Sequence, residues 1–335
     1  MERRIVQPTF VDNAVADLGS PKARRFLSTV DRLVPWAELA EPCKAFYKDT
    51  TGKPGRPHWP VVLMVKIMLL RKWYGLSDVQ AEQQILDRLS FRQFLGLSLT
   101  DSTPDHSTIR LFNERLTESG LCSTLFDAVL AHMKSHGLLV ENGSIVDATI
   151  LPTSRGRKRK DGSTTRDTGA TTTAKGNVAH HGFRAHIRTD TKGVILDYRF
   201  DTARESEHTH FEALVEGERT AVYADSGYMK GERTRQLEAK GIFPGIMFRR
   251  VRGQQELTDG QKEHNRFCAK FRAFVEHPFG WLKNMGYRIR YRGSRKNGAD
   301  FAIAAAAYNI KRMLSLKGMA MSGGPRPAAG RLLGT

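Results

Sequence analysis

The chain has 335 residues, 40% of them hydrophobic, and a formal net charge of +18. It is long enough for two domains and a substantial core. A cationic surplus of that size repels itself in the compact state, so it points to an anionic partner: nucleic acid first, a membrane surface second, with a basic structural protein as the bland reading. Cys43, Cys122 and Cys268 lie far apart and form no CxxC pair, which excludes a zinc ribbon and a disulfide framework. The opening MERRIVQPTF lacks the apolar core of a signal peptide, and the apolar run from Val61 to Leu70 is broken by Lys66. The expectation is a soluble, cytoplasmic protein with no membrane partner.

Residues 1–138 read as a helical domain. Pro60 opens a helix over residues 61–74 and Gly75 stops it. Ser77 caps a second helix. Ser102 or Thr103 caps a third, with Pro104 in its first turn and Ile109, Phe112 and Leu116 as its apolar stripe. A fourth covers residues 121–135 and ends at Gly137. Short helices and tight turns in a basic chain suit either a helix-turn-helix module, with Arg110 and Arg115 reaching phosphates, or an ordinary helical bundle.

The pattern changes after Gly143. SIVDATI alternates as a strand, RGRKRKDGSTTRDTGATTTAKG reads as a mobile basic loop whose Arg155–Lys160 run is either a solvated tract or, sitting just after Asp147, one that closes over bound DNA, and FRAHIRTD with GVILDYRFD forms a hairpin. A helix over residues 207–216 follows, begun by Glu205 and Glu207. AVYADSGY supplies another strand, residues 231–240 a helix and IFPGIMF a further strand. Residues 261–284 are helical with an interruption near Pro278, and the last helix spans residues 299–316. Residues 139–316 thus make a mixed sheet flanked by helices, and residues 317–335 a Gly/Pro/Ala-rich, disordered tail.

Two strands carry an acid out of pattern, Asp147 and Asp225, and a helix carries Glu276. A buried strand-end carboxylate is costly unless a cation meets it. Alone, each acid reads as a turn residue or a solvated charge. Together, in a chain built for a polyanion, they suit divalent metal and two-metal phosphoryl transfer. His180 with His181, and His208 with His210, lack the spacing of a zinc site and read as structural or surface residues.

SIVDATILPTS, HHGFRAHIRTDTKGVIL, VYADSGYMK and FRAFVEHPFGWLK together resemble the catalytic domain of bacterial insertion-sequence DDE transposases, in the group numbered insertion sequence four and five. The helical segments before them resemble the preceding domain of that group. The resemblance implies an α/β, ribonuclease H-like fold. It implies that Asp147, Asp225 and Glu276 bind two Mg2+ ions, with Mn2+ able to substitute. It also implies cleavage of the element ends and joining of a 3′-hydroxyl to target DNA, by a homodimer on paired terminal inverted repeats. The family's Tyr-Arg-Glu-Lys signature is kept at Arg272, Glu276 and Lys283, while Ala269 stands where the Tyr belongs. Arg272 and Lys283 are thereby implied to touch DNA.

In YRIRYRG, Arg288, Arg290 and Arg292 would share the cationic face of a strand against a phosphate backbone, or defend an edge strand with charge. Trp281 would stack on an unpaired base or sit in the core. The rival from another class is a catalytically inactive, domesticated DNA-binding regulator. A plain nuclease that cuts without joining is a second rival.

Overall fold

The computed structural model describes residues 21–47, 57–154, 156–157, 159–161 and 163–321. The helical part comprises α1 (Pro21–Leu33), α2 (Trp36–Ala40) followed by a 3-10 turn, α3 (Val61–Tyr74), α4 (Asp78–Asp87), α5 (Leu89–Leu95), α6 (His106–Glu118) and α7 (Leu121–Ser135). Helix α3 is apolar nearly all round, and it is buried on nearly every side. Gly75 stops it at φ 64°, a left-handed conformation that costs glycine nothing. Ser77 and Gln80 form a reciprocal capping box on α4. The cap of α6 is Asp105, whose side chain accepts from the Thr108 amide at 2.7 Å, and not Ser102 or Thr103. Pro104 therefore precedes the helix.

The sheet holds β1 (Ser144–Pro152), β2 (Thr171–Lys175), β3 (Val178–Asp190), β4 (Ile195–Thr202), β5 (Ala221–Ala224) and β6 (Phe243–Ile246). Central β1 runs antiparallel to β3 and parallel to β5, and β6 runs parallel to β5. Strand β4 lies outside β3, and β2 extends the same edge. Across the main strands the order is β4-β3-β1-β5-β6 with β3 alone running against the others, the ribonuclease H-like arrangement. Both faces of β1 are covered: Ile145 belongs to the large core and Val146 to a smaller one with Phe211, Val222 and Tyr228.

The remaining helices are α8 (Phe211–Leu214), α9 (Gly231–Ala239), α10 (Asp259–Arg272), α11 (Glu276–Asn284) and α12 (Ser294–Met321). Three expectations change here. The helix expected over residues 207–216 shrinks to the four residues of α8, which frees Glu207 to meet Arg184 at 3.3 Å. The interruption expected near Pro278 lies at the 3-10 turn Ala273–Val275. A proline ring clashes with the carbonyl four residues back, so the break falls before it and Pro278 fits the first turn of α11. The final helix starts at Ser294 and continues through Met321, past the expected end at 316. The rest of the expected tail, 322–335, lies outside the described residues.

Helix α12 ties the sheet to the helical part. Phe301 packs on Tyr198 and Phe200 of β4, and the Trp73 indole donates to the Ala307 carbonyl at 2.9 Å. Lys72 of α3 pairs with Asp300, both buried. One continuous apolar cluster thus runs from α1 to α12. Among the described residues no helix is long and apolar enough to cross a membrane.

Candidate active site

Val146 of β1 stands opposite Ala224 of β5 in a parallel ladder, so the next residues, Asp147 within β1 and Asp225 just past the end of β5, lie side by side. Asp225 leaves the sheet as the N-cap of a 3-10 turn, its carboxylate accepting from the Gly227 amide. The turn runs close to both acids: a Cβ on Gly227 would lie 2.9 Å from Glu207 Oε2 and 3.1 Å from Asp225 Oδ1. The question posed by an acid after a buried run therefore has a local answer, a capped turn, and a tertiary one. The Arg272 guanidinium sits between the two aspartates, with Nη2 3.6 Å from Asp147 Oδ2 and 3.8 Å from Asp225 Oδ2.

Arg272 is delivered by α10, which starts on a Thr258–Gln261 capping box and lies across β5. The Phe271 ring stacks on Tyr223 at 4.3 Å and fixes the last turn. Burial outweighs the help of the Ala148 amide and Arg272, and pushes the Asp147 carboxyl up to about 6. Two acids facing one cation, Asp147 largely buried and Asp225 half-exposed, form a pair of hard oxygen donors, suited to a divalent ion of the magnesium kind.

Two residues of this region escape sequence reasoning. Glu207 comes over the end of β5 to lie beside Asp225. The Tyr228 hydroxyl is fully buried, has no hydrogen-bond partner among the described residues, and feels Asp147, Glu207 and Asp225 together. Its phenol is pushed well above the ordinary range, first by burial and then by those acids. ESEHTH offered no signal beyond acids at an expected helix start, and there the expectation misled.

Glu276 opens α11 on the turn after Arg272 and is exposed. Among the described residues no three His, Cys, Asp or Glu side chains come close enough to enclose a metal ion. Asp147 and Asp225 therefore fit a divalent ion in donor chemistry, while Glu276 is not drawn in beside them. Lys283, two turns along α11, is exposed. Trp281 faces inward, its ring 5.7 Å from that of Tyr308, a core position and not a stacking platform.

Residues 287–292 form no strand. Tyr291 is instead held by Asn297 and by Arg71 and Asn113 of the helical part. The alternation survives all the same, with Arg288, Arg290 and Arg292 exposed and Tyr287, Ile289 and Tyr291 partly buried. Arg290 also donates to the Gly75 carbonyl at 2.9 Å.

Comparison with known proteins matches the transposase DDE domain over residues 139–310 and a transposase domain, DUF772, over residues 17–115. The chain belongs to the DDE transposase family. The transposase is also similar, at 10% identity and a TM-score of 0.45, to a structure described as a piggyBac transposase synaptic complex with hairpin DNA. That likeness covers 96% of the transposase and 79% of the other chain.

Proposed function

We propose that this transposase binds the terminal inverted repeats of an insertion sequence, cleaves the element ends and joins the freed 3′-hydroxyl to target DNA. The observation that carries the reading is the convergence of Asp147 and Asp225, from adjacent strands, on a single cationic group. Those two carboxylates would hold divalent metal, Mg2+ or Mn2+, and Glu276 of the following helix, which stands apart from them here, would have to join them as the third acid. When bound, a pair of such ions would activate the attacking oxygen and stabilise the leaving one.

The chain's own residues then have distinct tasks. Asp225, fixed by the Gly227 amide, presents its outer oxygen toward the notch. Asp147, whose carboxyl is raised by burial, gains its charge most readily when a cation arrives. Arg272 faces both carboxylates, and with metal in its place it would be available to a phosphate. Lys283, Arg288, Arg290 and Arg292 take the DNA backbone, which needs cations but no fixed sequence. Residues 1–138 help bind the ends and pair two protomers, one per end, at the bacterial chromosome in the cytoplasm.

The test is incubation of the purified chain with element-end duplex and a plasmid target in Mg2+ or Mn2+. Expected are cut ends and a joined product, both absent for Asp225→Asn. Cutting without joining would leave a plain nuclease, and binding without cutting in either metal would leave a DNA-binding regulator.

A further inference from the structure

The described residues of the basic tract after β1 are hydrogen-bonded, where its composition suggests a mobile loop. The described residues between 157 and 165 fold back on one another: the Arg159 amide donates to Ser163 O at 2.8 Å and the Thr165 amide to Arg157 O at 3.1 Å. Asp161 closes the turn by accepting from the Ser163 amide and hydroxyl. Arg157, Arg159 and Lys160 are exposed on it and make no ion pair among the described residues. Arg155 and Lys158 lie outside the described residues.

This stretch is pinned to a distant part of the chain. Asp167 is 7% exposed. Its Oδ1 accepts from the Gly169 amide at 2.9 Å, and the Gly293 amide lies 3.2 and 3.0 Å from its two oxygens. Gly293 follows Arg292, whose guanidinium donates to the Thr165 carbonyl at 3.4 Å. The chains approach so closely that a Cβ on Gly169 would lie 2.8 Å from Gly293 Cα. A single buried carboxylate thus holds two cationic stretches together, although their like charges repel. Such a joint is stabilised when a polyanion lies across it.

We propose that the described residues between 157 and 165 and the segment 288–292 form one binding surface for the phosphate backbone of duplex DNA, with Asp167, Gly169 and Gly293 as its positioning joint. This rests on the DNA-transposition reading above. It adds a second cationic wall that the resemblance does not supply. Arg157, Arg159 and Lys160 are its contacts on one side, and Arg288, Arg290 and Arg292 on the other.

The test measures affinity for a random-sequence duplex of roughly 30 base pairs across a salt series, since each backbone contact adds about 0.9 to the slope of log K against log salt. Gly169→Ala removes no charge, but its Cβ meets backbone, which cannot give way, and so the joint opens. The slope is expected to become shallower by roughly two to three, as it does for Arg157→Ala/Arg159→Ala/Lys160→Ala, whose side chains are solvent-facing. Combining the two changes is expected to add little further, because both remove the same contacts. Gly260→Ala, where nothing lies near the added Cβ, serves as the control and keeps the full slope. If Gly169→Ala does not fold, the triple variant decides. An unchanged slope in the triple variant, beside a steep one in the parent, overturns the surface and leaves the transposase reading standing. A parent that shows no salt-dependent DNA binding overturns both.

Discussion

Asp147→Asn should stabilise the protein while removing its cleavage activity. Burial lifts the Asp147 carboxyl from 3.8 to about 6 in the fold, so its ionised form is disfavoured there relative to the unfolded chain. About two pKa units at roughly 1.4 kcal/mol each sets a ceiling of about 3 kcal/mol. The side chain is 23% exposed, and solvent screening brings the expected gain to roughly 2 kcal/mol at pH 8. The sign follows from the raised value. Below pH 3.8 the acid is protonated in both states and has no effect. As pH climbs toward 6 the folded state holds the proton longer, so the wild type loses stability and the gap to the asparagine variant opens. The assay is thermal unfolding from pH 4 to pH 8, with and without millimolar Mg2+. The variant should melt a few degrees higher at pH 8 and level with the parent at pH 4. Mg2+ should raise the melting temperature of the parent alone, because only the parent keeps the full donor pair. A variant less stable at pH 8, or a gap that does not change with pH, would refute the reasoning.

Asp225→Asn keeps an oxygen for the Gly227 amide, so it should abolish cleavage and leave duplex affinity within about two-fold in a binding titration; loss of both would make Asp225 structural. Asp300→Ala should cost roughly 3–5 kcal/mol in urea unfolding, because it leaves Lys72 charged and buried, whereas Lys72→Met with Asp300→Leu should come out near neutral. An equal loss in the double variant would argue against a burial penalty. His186 is wholly buried, neither ring nitrogen has a partner among the described residues, and burial with His210 and Arg184 lowers its value to about 3. The unfolded chain therefore takes the proton first. His186 should therefore contribute a loss of about 1.4 kcal/mol per pH unit as pH drops below 6.5, opposed by Asp147 between pH 6 and 3.8, and acid-unfolding curves of His186→Leu should lack that contribution and show the variant gaining on the parent as pH falls.

The sequence by itself determined the elements whose signals are local. Periodicity and end residues placed α3, α4 and α7, alternation placed β1, and the pairing of strand acids with a basic composition pointed to Asp147 and Asp225. Tertiary structure decided whatever depends on residues meeting across the chain. Arg272 reaches both aspartates because α10 lies across β5, Glu207 arrives because a helix expected at residue 207 does not form, and the tract after β1 meets the segment ending at Gly293 because Asp167 finds the Gly293 amide. Trp281 went to the core for the same reason: a pattern along the chain says which side chains share a face, and only packing says what that face meets.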